Sequence, residues 1–149
     1  MNFRREAGHL KFFGKVNGLS LLYALMLFMQ VQLALNVYRI SRITGWKLEK
    51  VNQWVTIAIL VLFVLFSAAF VYLTNRYMQS SKKRYFTAVL WFPYFVVLVM
   101  GARSLWPMSD PGDKPAPVQG LLVIGALLVY PLYILGINAL GTKPKVIDT

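Results

Sequence analysis

The sequence predicts an all-α fold: a polytopic membrane protein built as a four-transmembrane-helix bundle with both termini cytoplasmic. Three observations carry this expectation. The 149 residues are 58% hydrophobic and only 14% charged, whereas soluble domains average about 45–50% apolar and about 25% charged residues. The apolar excess is gathered into four long runs separated by short charged segments. These runs approach the ~20 residues that a helix needs to cross the hydrocarbon of a bilayer. The length suits one compact bundle, a single membrane domain over residues 1–149.

The first span is placed at 17–38, inside a stretch without charge from Val16 to Tyr38 whose apolar heart is LSLLYALMLF. Its length and the three runs that follow argue for a membrane span rather than a cleaved leader, although the segment before it is basic. The second, at 54–75, has the heart VTIAILVLFVLFSAAFVYL. In water its β-branched residues favour a strand. In lipid each backbone amide must bond within its own segment, so a run of this length is a helix. The third span, 85–102, is the shortest and holds Pro93, which removes a helical hydrogen bond and predicts a kink. The fourth, 118–140, holds Pro131, and Gly120, Gly125, Gly136 and Gly141 flank its core, where they would let another helix approach closely. The stretch before the first span sets Leu10, Phe12, Phe13 and Val16 among Arg4, Arg5, Lys11 and Lys15, which suits either a surface helix or a tail that orients insertion.

Charge sets the expected orientation. With four spans the termini share a side with the second connection. That side carries ten of the 16 Lys and Arg residues: Arg4, Arg5, Lys11, Lys15, Arg76, Lys82, Lys83, Arg84, Lys143 and Lys145. The positive-inside tendency therefore puts the termini in the cytoplasm of a bacterial-type cell membrane. Trp46, Trp54 and Trp106 fall at the outer boundary, and Tyr72, Tyr77 and Tyr85 at the inner one, where amphipathic rings favour the headgroup zone. The net charge of +11 lies in segments flanking the spans. It points to membrane lipids with anionic headgroups as partners, and no nucleic-acid-binding motif accompanies it.

The inventory of reactive groups is thin. There is no cysteine, which removes disulfides, thiol catalysis and thiolate-held metals, and the single histidine, His9, excludes a bis-histidine haem within one copy. No acid lies inside a span, so there is no carboxylate pair for acid–base work and no intramembrane proton relay. Asp110 and Asp113 sit in a proline-rich turn without a third ligand. No catalytic residue, cofactor or metal is expected.

The polar exceptions are the carboxamides of the first span. Gln32 and Asn36 share a helix face with Arg39, while Gln30 points about 160° away from Gln32. Gln30, Gln32, Asn36, Arg39 and, at the end of the third span, Arg103 are therefore the candidate contacts for a partner or for a polar cavity opening outward. Small residues Ser67, Ala68, Ala69, Gly125 and Ala126 are the candidate helix-packing contacts. These features favour a small non-catalytic subunit that packs against, stabilises or regulates a larger integral membrane protein, or associates with itself. The alternative is a small oligomeric transporter or channel for a lipid-like or anionic solute. A third reading is a component of a lipid-headgroup enzyme whose reactive residues come from another chain.

Overall fold

The computed structural model describes residues 3–78 and 82–141, with side chains from Gly8 onward. Lys143 and Lys145, and the side chains of Arg4 and Arg5, lie outside the described residues. The described residues are 89% helical, with no strand among them. The helices are α1 (Phe3–Leu35), α2 (Val37–Thr44), α3 (Leu48–Tyr77), α4 (Thr87–Leu105) and α5 (Pro117–Leu140). A 3₁₀ segment, Lys82–Phe86, leads straight into α4, and another, Pro111–Asp113, lies between α4 and α5. Four helical stretches are long and apolar enough to cross a membrane: Gly8–Leu35, Leu48–Tyr77, Lys82–Leu105 and Pro117–Leu140. This is a multi-pass membrane protein.

The basic segment at the start is neither a separate surface helix nor a tail from Phe3 onward; it is continuous with the first span as one helix. That span ends earlier than its charge-free stretch. Asn36 leaves helical geometry at φ −99°, ψ 12°, and α2 starts afresh at Val37. Gly45 ends α2 in the left-handed conformation, φ 69°, ψ 8°, which a Cβ disfavours. Ser41 Oγ then donates to the Trp46 carbonyl at 2.7 Å and fixes the turn into α3. Both interior prolines are accommodated inside continuous helices, Pro93 in α4 and Pro131 in α5.

α1 is the central helix. In the most apolar 18 residues of its spanning stretch 39% are buried, against 11% in α3, whose remaining surface is left for lipid. α1 touches α3, α4 and α5, while α3 and α4 lie diagonally and do not meet. The core is aromatic. The Tyr130 ring meets Trp91 edge-on at 4.9 Å, and Tyr23 and Phe70 centroids lie 4.0 Å apart. Tyr130 Oη donates to the Tyr23 carbonyl at 2.6 Å, joining α5 to α1. Tyr94 Oη donates to Asn17 Oδ1 at 2.6 Å, joining α4 to α1. A smaller core of Val37, Val51 and Val55 closes α2 onto the start of α3.

Two polar contacts at opposite ends reward a packed arrangement. Asn138 is fully buried, and its Nδ2 donates to Thr87 Oγ1 at 2.9 Å and toward the Arg84 carbonyl at 3.4 Å. It joins α5 to the base of α4. At the other end Arg42 grips Asp113 with two parallel bonds, Nε–Oδ1 at 2.8 Å and Nη2–Oδ2 at 2.7 Å. Asp110 Oδ1 accepts from the Gly112 amide at 2.8 Å and shapes the turn that presents Asp113. Bidentate geometry of this kind is the strong form of the ion pair.

The Arg42 guanidinium holds the Asp113 carboxyl below the usual carboxylate range, chiefly through those hydrogen bonds. A depressed folded-state pKa stabilises the fold above the unfolded value, about 3.9, and is lost as pH falls through the folded value. The expected result is a thermal-stability difference between the unaltered chain and Asp113→Asn in detergent that is constant from pH 7 to about 4 and closes below it. A difference that persists unchanged at the acid end would refute the ion pair's role.

Candidate functional site

α3 and α5 are joined at the end of the bundle that holds the amino terminus and splay apart toward the other. At the joined end Gly141 sits directly against Thr74. Midway, the hydroxyls of Ser67 and Tyr133 share a hydrogen bond of 2.6 Å, and Phe63 and Tyr133 rings lie 5.3 Å apart. Beyond Ile59 the two helices no longer close on each other. They leave a cleft of about 330 Å³ that opens sideways, with α1 as its floor.

Leu27, Gln30, Val31, Ala34 and Val37 line the floor. Asn52, Val55, Thr56 and Ile59 form the α3 wall, and Gln119, Leu122, Val123 and Ala126 form the α5 wall. No lining residue is charged. The polar groups have distinct uses. Gln30 Nε2 donates to the Ile59 carbonyl at 3.3 Å, a bond from floor to wall. Gln119 Oε1 accepts from the Ala116 amide at 2.9 Å, satisfying a donor at the start of α5, and its Nε2 donates to the Ala34 carbonyl at 3.1 Å in the last turn of α1. Thr56 Oγ1 donates to the Asn52 carbonyl at 2.8 Å. The Asn52 side chain, exposed at the wall, has no hydrogen-bond partner among the described residues and keeps a donor and an acceptor for another molecule.

Of the five residues proposed for a polar cavity, Gln30 lines this cleft and the other four do not. Gln32 and Asn36 serve each other: Asn36 Nδ2 donates to Gln32 Oε1 at 3.0 Å and to the Gln32 carbonyl at 2.8 Å. That bond sits at the break between α1 and α2 and supports it. Arg39 reaches the Trp106 carbonyl at 3.5 Å, tying α2 to the end of α4. Arg103 is exposed on α4. Among the small residues, Ser67 is engaged with Tyr133, Ala126 lines the cleft, and Ala68, Ala69 and Gly125 are exposed. Gln119, Asn52 and Thr56 were not singled out by sequence. A span-edge Gln three residues after Ala116, at the capping position, was the available signal for the first.

The cleft offers apolar packing surface and hydrogen-bonding amides. Among the described residues no cluster of His, Asp or Glu forms a metal-binding group. Comparison with protein-family models, with curated proteins and with solved structures gives no match for this chain.

Proposed function

We propose that this chain is a small non-catalytic subunit of a larger integral membrane complex, and that the cleft between α3 and α5 receives a helix of the partner. The reading includes cytoplasmic termini in a bacterial-type cell membrane, on the strength of the basic residues that flank the terminal end. The observation that carries it is the cleft of about 330 Å³ between α3 and α5, floored by α1 and lined by uncharged residues. Helix association in lipid gains little from hydrophobicity, because acyl chains are as apolar as leucine; it depends on shape fit, small residues and occasional amide bonds. Ala34 and Ala126 let a backbone approach, and Asn52 supplies an amide at the rim. The other reading, a solute carrier, lacks such support: no acid lies inside a span to couple transport.

The chain has no cysteine, so single cysteines report one position each. Thr56→Cys and Ala126→Cys face the cleft, while Val64→Cys and Leu128→Cys face lipid. Crosslinking in native membranes is expected to give one common heteromeric adduct from the first pair and none from the second. Asn52→Leu, which removes the amide left open at the rim, should reduce co-purification of that partner, one amide bond between helices in lipid being worth about 0.6 kcal/mol. The Gln32→Leu/Asn36→Leu pair, outside the cleft, should leave partner recovery unchanged. Adducts without positional preference, or a homo-oligomer that moves solute in liposomes, overturn the reading.

A further inference from the structure

A second groove lies at the other end of the bundle, where α1 and α4 enter the membrane. Its volume is about 580 Å³, the larger of the two. We infer that it binds one anionic phospholipid, with the phosphate beside His9 and Lys83 and an acyl chain against Phe12, Phe13, Phe86 and Leu90. This inference is independent of the subunit proposal.

The groove has the polarity gradient of a lipid. His9 and Lys83 stand at the beginnings of the spanning stretches Gly8–Leu35 and Lys82–Leu105. Val16 and Leu90, also in its walls, are seven residues further along each chain segment, which is roughly 10 Å deeper at helical rise. The walls therefore pass from headgroup level into hydrocarbon. Phe13 and Phe86, 64% and 62% exposed, present open phenyl faces to a chain lying between the helices.

Charge selects the headgroup. The carboxylate side chains described, Glu49, Asp110 and Asp113, all lie at the opposite end. The charged side chains described at this end of the bundle are basic, among them Lys11, Lys15, Lys82, Lys83 and Arg84, and Lys83 lines the groove itself. Arg84 follows Lys83 in the same 3₁₀ segment and is only 7% exposed. Its Nε has no hydrogen-bond partner, and no carboxylate pairs with it among the described residues. Its Nη2 donates to Tyr85 Oη at 3.4 Å and the guanidinium lies 5.0 Å from the Tyr85 ring centroid, so the charge is held in place beside Lys83 and adds to the positive potential that draws a phosphate to this end. A zwitterionic headgroup brings its own cation to the same place and gains less. A free phosphate ion uses none of the apolar wall.

The test uses the full chain purified in mild detergent, with dioleoylphosphatidylglycerol or dioleoylphosphatidylcholine added and bound lipid counted by native mass spectrometry. One phosphatidylglycerol per chain is expected to be retained in preference to phosphatidylcholine. Lys83→Gln should weaken retention about fivefold, the effect of removing one basic residue near a membrane surface. Leu90→Trp should block the acyl channel without altering charge, and Lys47→Gln/Lys50→Gln, at the far end, should change nothing. Helical circular dichroism and monodisperse elution establish that each variant is folded. Equal retention of the two lipids by the unaltered chain overturns the proposal whatever the variants do. So does displacement by inorganic phosphate, or retention that neither Lys83→Gln nor Leu90→Trp reduces.

Discussion

Tyr130→Ala is expected to destabilise the bundle by about 3–5 kcal/mol, the range for deleting a large buried aromatic ring. Among the described residues Tyr130 is the one side chain that joins α5 to both α1 and α4 through rings. It meets Trp91 at 4.9 Å, stacks on Tyr133 at 5.5 Å, and faces Tyr23 edge-on at 6.5 Å. Its hydroxyl also donates to the Tyr23 carbonyl. In a membrane the loss comes from dispersion and cavity formation rather than from water, because the exposed alternative is also apolar. Tyr130→Phe separates the two contributions. It keeps the rings and removes one hydrogen bond, with an expected loss of about 0.6 kcal/mol. Unfolding in mixed micelles with rising SDS, followed by circular dichroism, measures both. Similar losses from the two variants would mean that the hydroxyl, not the ring packing, holds the helices together.

Gly141→Ala is expected to cost about 1–3 kcal/mol, as overpacking does in a closed core. An added Cβ would stand 2.6 Å from Thr74 Cγ2 and 2.8 Å from Thr74 Cβ, closer than carbon atoms approach. Thr74 is fully buried, so it has no free direction in which to move. The contact lies at the joined end of α3 and α5. Widening it changes the splay that forms the cleft, so the same substitution should lower partner recovery along with stability. Thr74→Ala removes the nearer of the two atoms and should return part of the loss in the double variant, a coupling that a double-mutant cycle reads directly. Gly125 and Gly136 supply the contrast. Nothing lies within 4 Å of a Cβ at either position. Alanine there should be neutral or stabilising by up to about 1 kcal/mol, through helix propensity. If all the replacements behaved alike, the close approach at Gly141 would not be what closes the seam.

The glycines show how far a sequence of this kind can be read. Four stood in or beside the last span with equal claim to helix packing, and one of them meets a neighbour closely. The carboxamides behave similarly. Their expected need for partners was sound chemistry, and Gln30 does reach a carbonyl on a neighbouring helix. Which amide faces a cleft and which faces its own helix was not visible, because a shift of φ and ψ at Asn36 turns the following segment. Arg42 in α2 and Asp113 in the 3₁₀ segment before α5 lie 71 residues apart, and their pairing depends on how the helices stack.

The four crossings, their helical state and the basic character of the terminal end follow from composition and order alone. A long run without charge has one stable solvent, and in that solvent a backbone has to bond to itself. The neighbours of each helix, the aromatic centre, the closed seam at Thr74 and the cleft beyond it arose only on assembly. In water the buried face of a helix is written as a stripe of apolar residues. In lipid both faces are apolar, so the pattern is silent about which one turns inward, and side-chain shape makes that choice once the helices are side by side.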